Sequence, residues 1–129
     1  MDYYISTTLN ESFESARSKV EAALKDEGFG VISEVNMQEK LKDKLNVDFR
    51  KYTILGACNP PMAYESLQVE NKVGLLLPCN VILQEIEPNK IEVASIDPFV
   101  SMQIVDNDEL SRIAKEVKER LESFIKNLK

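Results

Sequence analysis

Histidine and tryptophan are absent from this chain of 129 residues, glycine occurs 4 times and cysteine 2 times, and no apolar run exceeds three residues, as at Leu75–Leu77. Each scarcity excludes something. Without histidine there is no Ser-His-Asp triad, no Cys-His nucleophile pair and no His-ligated metal centre. A membrane helix needs about 20 apolar residues in a row, so no membrane partner is expected. Basic residues number 16 and acidic residues 22, for a formal charge of −6. Neutralising phosphates takes a concentrated basic face, so no nucleic-acid partner is expected either.

What is present is an ordinary globular mixture, 43% hydrophobic and 29% charged. Its length suits a single domain over 1–129 that buries roughly two thirds of its unfolded surface without disulfide staples. The start, Met1-Asp2-Tyr3-Tyr4-Ile5-Ser6, has no basic stretch ahead of an apolar one, so a secretory signal is not expected. Two cysteines in such a chain suit the reducing cytoplasm, the expected compartment, where a permanent disulfide is disfavoured.

Periodicity and punctuation give the elements. Tyr3 to Thr8 is β-prone, and Asn10 caps a helix over about 11–27 whose Phe13, Ala16, Val20, Ala23 and Leu24 recur at helical spacing, with Gly28 or Gly30 as the stop. Phe29 to Val35 reads as a strand. Asn36-x-x-Glu39 is a capping pattern for a short helix to about Leu45. Arg50 to Cys58 is a third strand, and Asn59-Pro60-Pro61 opens a helix to about Gln68, proline losing no needed donor in the first turn. Asn80 to Glu87 and Ile91 to Asp97 form a hairpin across Pro88-Asn89-Lys90. Asp106 and Glu109 cap the last helix, in which Leu110, Ile113, Ala114, Val117, Leu121, Phe124, Ile125 and Leu128 make one apolar stripe. A stripe this long is expected to lie across the sheet.

One region carries candidate chemistry. Cys58-Asn59-Pro60 ends a strand and Pro78-Cys79-Asn80 begins another, both flanking the same inserted helix, so the two phrases can meet at one rim of the sheet. Cys58 would face a helix N-terminus, whose unpaired N–H groups stabilise a thiolate, with Lys72 as another source of positive charge. Asn59 and Asn80 would add amide donors and acceptors. The alternative is that both cysteines are small buried hydrophobes. Two thiolates cannot complete a four-ligand zinc site; a symmetric dimer could supply four, or two could hold a soft monovalent ion. The spacing from 58 to 79 matches no short metal signature, so no metal is expected.

The remaining features have plainer readings. Asp97-Pro98 is either an isolated acid at a rim or a strand stop. Tyr52 and Tyr64 read as amphipathic side chains, and Met62 and Met102 as packing rather than coordinating groups. Lys40 to Lys44 reads as a solvated helix face, and Glu85 and Glu87 as solvent-facing acids on one side of a strand.

The phrases Leu55-Gly56-Ala57-Cys58-Asn59-Pro60-Pro61-Met62-Ala63 and Gly74-Leu75-Leu76-Leu77-Pro78-Cys79-Asn80-Val81, with Asp97-Pro98, resemble those of the domain-of-unknown-function family 302, and the likeness runs over nearly the whole chain. The resemblance implies a TATA-binding-protein-like fold of β-α-β(4)-α order and a homodimer, and it implies no activity. DNA binding is not imported with the fold, since fold does not fix function.

The expected fold is therefore α+β, a two-layer sandwich of β-α-β(4)-α order with short inserted helices and a mostly antiparallel sheet. The expected function is a cytoplasmic homodimer binding a small ligand in a pocket lined by Cys58, Asn59, Pro60, Pro78, Cys79 and Asn80. The alternatives are a thiol redox protein, with Cys58 attacking and Cys79 resolving, and a purely structural assembly module. No reaction and no cofactor is assigned.

Overall fold

Strand alternation dictates the layering. In the computed structural model, which describes residues 2–129, strands β1 (Tyr4–Leu9), β2 (Gly30–Asn36), β3 (Tyr52–Cys58), β4 (Cys79–Glu87) and β5 (Lys90–Ile96) form one sheet in the order β1-β5-β4-β3-β2. Every neighbouring pair is antiparallel. Alternate residues (Leu55 and Ala57, Val81 and Leu83, Ile91 and Val93) point to one face and are buried there. Helices α1 (Phe13–Asp26) and α5 (Asp108–Asn127) cover that face, with Ala16, Val20 and Leu24 from the first and Leu121, Phe124 and Ile125 from the second. The architecture is α+β with the expected element order.

Two further helices interrupt the strands, α2 (Met37–Leu45) and α3 (Pro60–Val69), and a single turn, α4 (Pro98–Ser101), follows the last strand. α2 buries none of its residues. The other sheet face stays half-open. A cross-strand row, Val35–Ile54–Ile82–Ala94, runs over it with its side chains only partly buried or exposed. Among the described residues no helix is long and apolar enough to cross a membrane.

Several boundaries differ from the sequence reading for identifiable reasons. Ser12, not Asn10, caps α1: its hydroxyl accepts the Ser15 N–H at 3.1 Å, which leaves Glu11 outside the helix to bind Ser15 Oγ and Lys19. Gly28 ends α1 with φ +86°, and the Gly28 and Phe29 N–H groups bond the Lys25 and Leu24 carbonyls, the six-residue closure that glycine permits. Asn107, not Asp106, caps α5. Its Oδ1 accepts the Leu110 N–H at 3.1 Å while its Nδ2 donates to the Val69 carbonyl at 2.9 Å, a second bond that a carboxylate could not donate. Asp97 is neither isolated nor only a strand stop. Its Oδ1 accepts the Phe99 and Val100 N–H groups at the start of α4, and its Oδ2 lies 3.3 Å from Lys118 Nζ.

Two apolar clusters result. The larger lies between the sheet and the helices. The smaller comprises Val73, Met102, Leu110 and Ala114, where the single 3-10 turns at Val73–Leu76 and Met102–Ile104 pack on the first half of α5. The apolar stripe of α5 is thus shared: its second half serves the sheet and its first half the smaller cluster.

Candidate functional site

β3 is rich in β-branched and aromatic residues up to Leu55, then changes to Gly56-Ala57-Cys58, where bulk would obstruct. Gly56 sits beneath the Pro78 ring: a Cβ there would lie 2.6 Å from Pro78 Cγ and would collide with Ser33 Oγ. This glycine lets the segment before β4 fold down onto β3. β4 then begins with Cys79 directly opposite Ala57, so Cys58 and Cys79 meet at one rim, as the flanking of a single inserted helix suggests.

Beyond Cys58 the chain turns into α3. Asn59 is the cap, its buried side chain accepting the Met62 N–H at 3.3 Å, and Pro60 and Pro61 fill the first two helical positions. Proline carries no N–H, and the Ala63 N–H bonds the Asn59 carbonyl. The donors that would have stabilised a Cys58 thiolate are therefore either missing or used. Sequence reasoning counted the prolines as harmless to the helix and overlooked what they remove from the cysteine.

The rim opens into a cavity of about 300 Å³ at the seam between the two apolar clusters. Cys58, Asn59, Pro78 and Cys79 all line it. The other two expected residues do not. Pro60 is exposed and borders a shallow depression beside Gly28 and Gly30. Asn80 follows Cys79 in a strand, so its side chain points to the opposite face, where it borders a separate depression with Tyr52, Ile82 and Gln84. The opposite wall consists of residues read from sequence as core or packing: Met62 from α3, Met102 before α5, and Ile113, Ala114 and Val117 from α5. The signal for the three from α5 lay in the length of its apolar stripe, which exceeds what one sheet contact uses.

Both cysteines are free, Cys58 half-buried and Cys79 buried. Burial pushes the Cys79 thiol up to about 11, helped by the neighbouring Cys58. It is a protonated, poorly nucleophilic group at neutral pH. The polar side chains of the wall are already bonded within the chain: Asn59 to Met62 N–H, and Ser66 Oγ to the Met62 carbonyl at 2.9 Å. Among the described residues no group of three or more His, Cys, Asp or Glu side chains could hold a metal. The expected alternative activator, Lys72, is exposed and is not part of the cavity wall.

Comparison with known proteins agrees with the fold and extends no chemistry to the cavity. The model of the family described as domain of unknown function DUF302 matches residues 5–128. The crystal structure of an uncharacterized conserved protein DUF302 from Bacillus stearothermophilus is similar to this chain at 25% identity, covers 100% of both chains, and superposes with a TM-score of 0.91. No curated protein matches.

Proposed function

The chain belongs to the DUF302 family, domains of unknown function, and for this member we propose a single-domain, cytoplasmic homodimer that binds a small ligand at the rim where Cys58 and Cys79 meet. The observation that carries the reading is the cavity of about 300 Å³ into which Cys58, Asn59, Pro78 and Cys79 converge from two strand ends. Clefts of this size with apolar walls and few polar groups are the usual form of small-molecule sites. Pro60 and Asn80 are not part of the proposed site.

The test is a fragment screen read by amide NMR shifts. Binding is expected to move resonances around Ala57, Met62 and Val117. Ala63→Leu, which puts three more carbons on the cavity wall, is expected to abolish those shifts while the remaining spectrum persists. Shifts scattered over the surface, or shifts indifferent to Ala63→Leu, would defeat the reading.

A thiol redox role has one supporting observation, the closeness of the two cysteines. The raised Cys79 thiol and the donor-poor start of α3 weigh against it. Self-association has better support. α2 buries no residue, and a nine-residue helix has little stability of its own. Leu45, Val47 and Phe49 beside it are exposed, as is Val35 at one end of the Val35–Ile54–Ile82–Ala94 row, whose other members are half-buried. A second copy covering this face would bury both. Sedimentation over a range of concentrations checks it, with Ile82→Lys expected to give monomers; wild-type monomer at every concentration would refute it.

A further inference from the structure

We infer that the cavity's ligand is a neutral aromatic molecule, recognised by shape and by sulfur rather than by charge or hydrogen bonds. This rests on the proposed ligand-binding reading and goes further by naming the class. Three observations lead to it. First, among the described residues no Asp, Glu, Lys or Arg side chain lies on the cavity wall, so an ionised group entering it would lose water and gain no charged partner. Second, the wall has only two side chains with oxygen or nitrogen, and each already makes one bond to the Met62 backbone, Asn59 Oδ1 accepting from its N–H and Ser66 Oγ donating to its carbonyl. A ligand rich in donors and acceptors would meet little beyond the Asn59 amide and would leave most of its own groups without a partner.

The third observation is the concentration of sulfur. Both cysteines of the chain and two of its 4 methionines, Met62 and Met102, surround the same space. Met62, Cys79 and Met102 are buried, at 7%, 6% and 5% exposure, so their sulfurs belong to the interior and not to the solvent rim. Phe29 is the wall's single aromatic side chain. Thioether and thiol sulfur is polarisable and makes favourable contacts with aromatic ring edges, which saturated rings of the same size do not receive. Methionine also adapts its rotamer to the guest, so the wall can close on a flat molecule from either side.

The experiment uses the full chain, reduced, at pH 7, titrated calorimetrically with four probes of one size. These are 1-naphthol, its saturated analogue decahydro-1-naphthol, the 1-naphthoate anion and the 1-naphthylmethylammonium cation. Naphthol is expected to bind at least about tenfold more tightly than either ion and about three- to tenfold more tightly than the saturated alcohol. Met62→Leu with Met102→Leu, which keeps the volume, is expected to remove most of the aromatic preference, bringing the affinity for naphthol toward that for decahydronaphthol. A cooperative thermal transition certifies that the double variant is folded.

Equal binding of an ion, or equal affinity for the aromatic and saturated alcohols, would overturn the inference and leave the ligand-binding reading standing. A preference that survives both methionine substitutions would overturn the role given to sulfur. If none of the four probes binds, both the inference and the reading beneath it fall.

Discussion

Replacing Gly56 by alanine tests how the rim is built. The residue lies in mid-strand with no left-handed backbone angle, so on backbone grounds alone alanine should stabilise the chain by about 0.4–1 kcal/mol through its unfolded state. Packing opposes this. The new Cβ would sit 2.6 Å from Pro78 Cγ and on top of Ser33 Oγ. Ser33 is exposed and its hydroxyl can turn away, whereas the Pro78 ring is held between Leu77 and the first residue of β4. Overpacking of this kind costs about 1–3 kcal/mol, which leaves Gly56→Ala less stable by about 1–2 kcal/mol. For a chain of this length that corresponds to a fall in Tm of roughly 3–10 °C. Urea titration and a thermal scan measure it. Adding Ser33→Ala should restore little, because the ring and not the hydroxyl is the obstacle. A variant as stable as wild type, or a complete rescue by Ser33→Ala, would refute the account of how Pro78 comes to wall the cavity.

Other perturbations probe single interactions. Cys79, with its thiol raised to about 11 above an ordinary value of 9.0, contributes stability that is present in full below about pH 9 and lost as pH rises through 11. The difference in unfolding free energy between wild type and Cys79→Ser should therefore shrink by about 2–3 kcal/mol between pH 8 and pH 11; a constant difference would contradict the burial of the thiol. Asp97→Ala removes a helix cap and the partner of Lys118, and should cost about 2 kcal/mol by denaturant titration, whereas Asp97→Asn keeps a capping oxygen and should cost less than about 1 kcal/mol. Equal losses would mean that charge, not capping, holds the turn. Asn59→Ala should cost about 1 kcal/mol and loosen the start of α3, seen as faster amide exchange at Met62.

Much of the fold was legible because its elements announce themselves locally. The 3.6-residue recurrence in α1 and α5, the hairpin of β4 and β5 about Pro88-Asn89, and Asn36 and Asn59 as caps all depend on neighbours in sequence, and all appear in the structure. The misplaced caps are different. Asn107 prevails over Asp106 through its bond to Val69, 38 residues away, which no local pattern encodes. The meeting of Cys58 and Cys79 was legible from their positions at the ends of strands flanking one helix. Asn80 was misassigned because a phrase of adjacent residues was treated as one surface, although a strand sends alternate side chains to opposite faces. The far wall of the cavity escaped notice because Met62, Met102 and Ile113 look like any other core residues until the seam between the clusters is known.

That seam divides the molecule into parts of unequal durability. Val73, Met102, Leu110 and Ala114 lie outside the strands, so their cluster can come apart without breaking an inter-strand hydrogen bond. Amide exchange should accordingly fall into two tiers, fast opening for the 3-10 turns and the first half of α5, slow opening for the sheet and the second half, with the boundary near Val117. A guest lying across the seam holds both sides at once. It would slow exchange in the weaker tier and leave the stronger one as it was, so the contrast between the two halves of α5 would report occupancy.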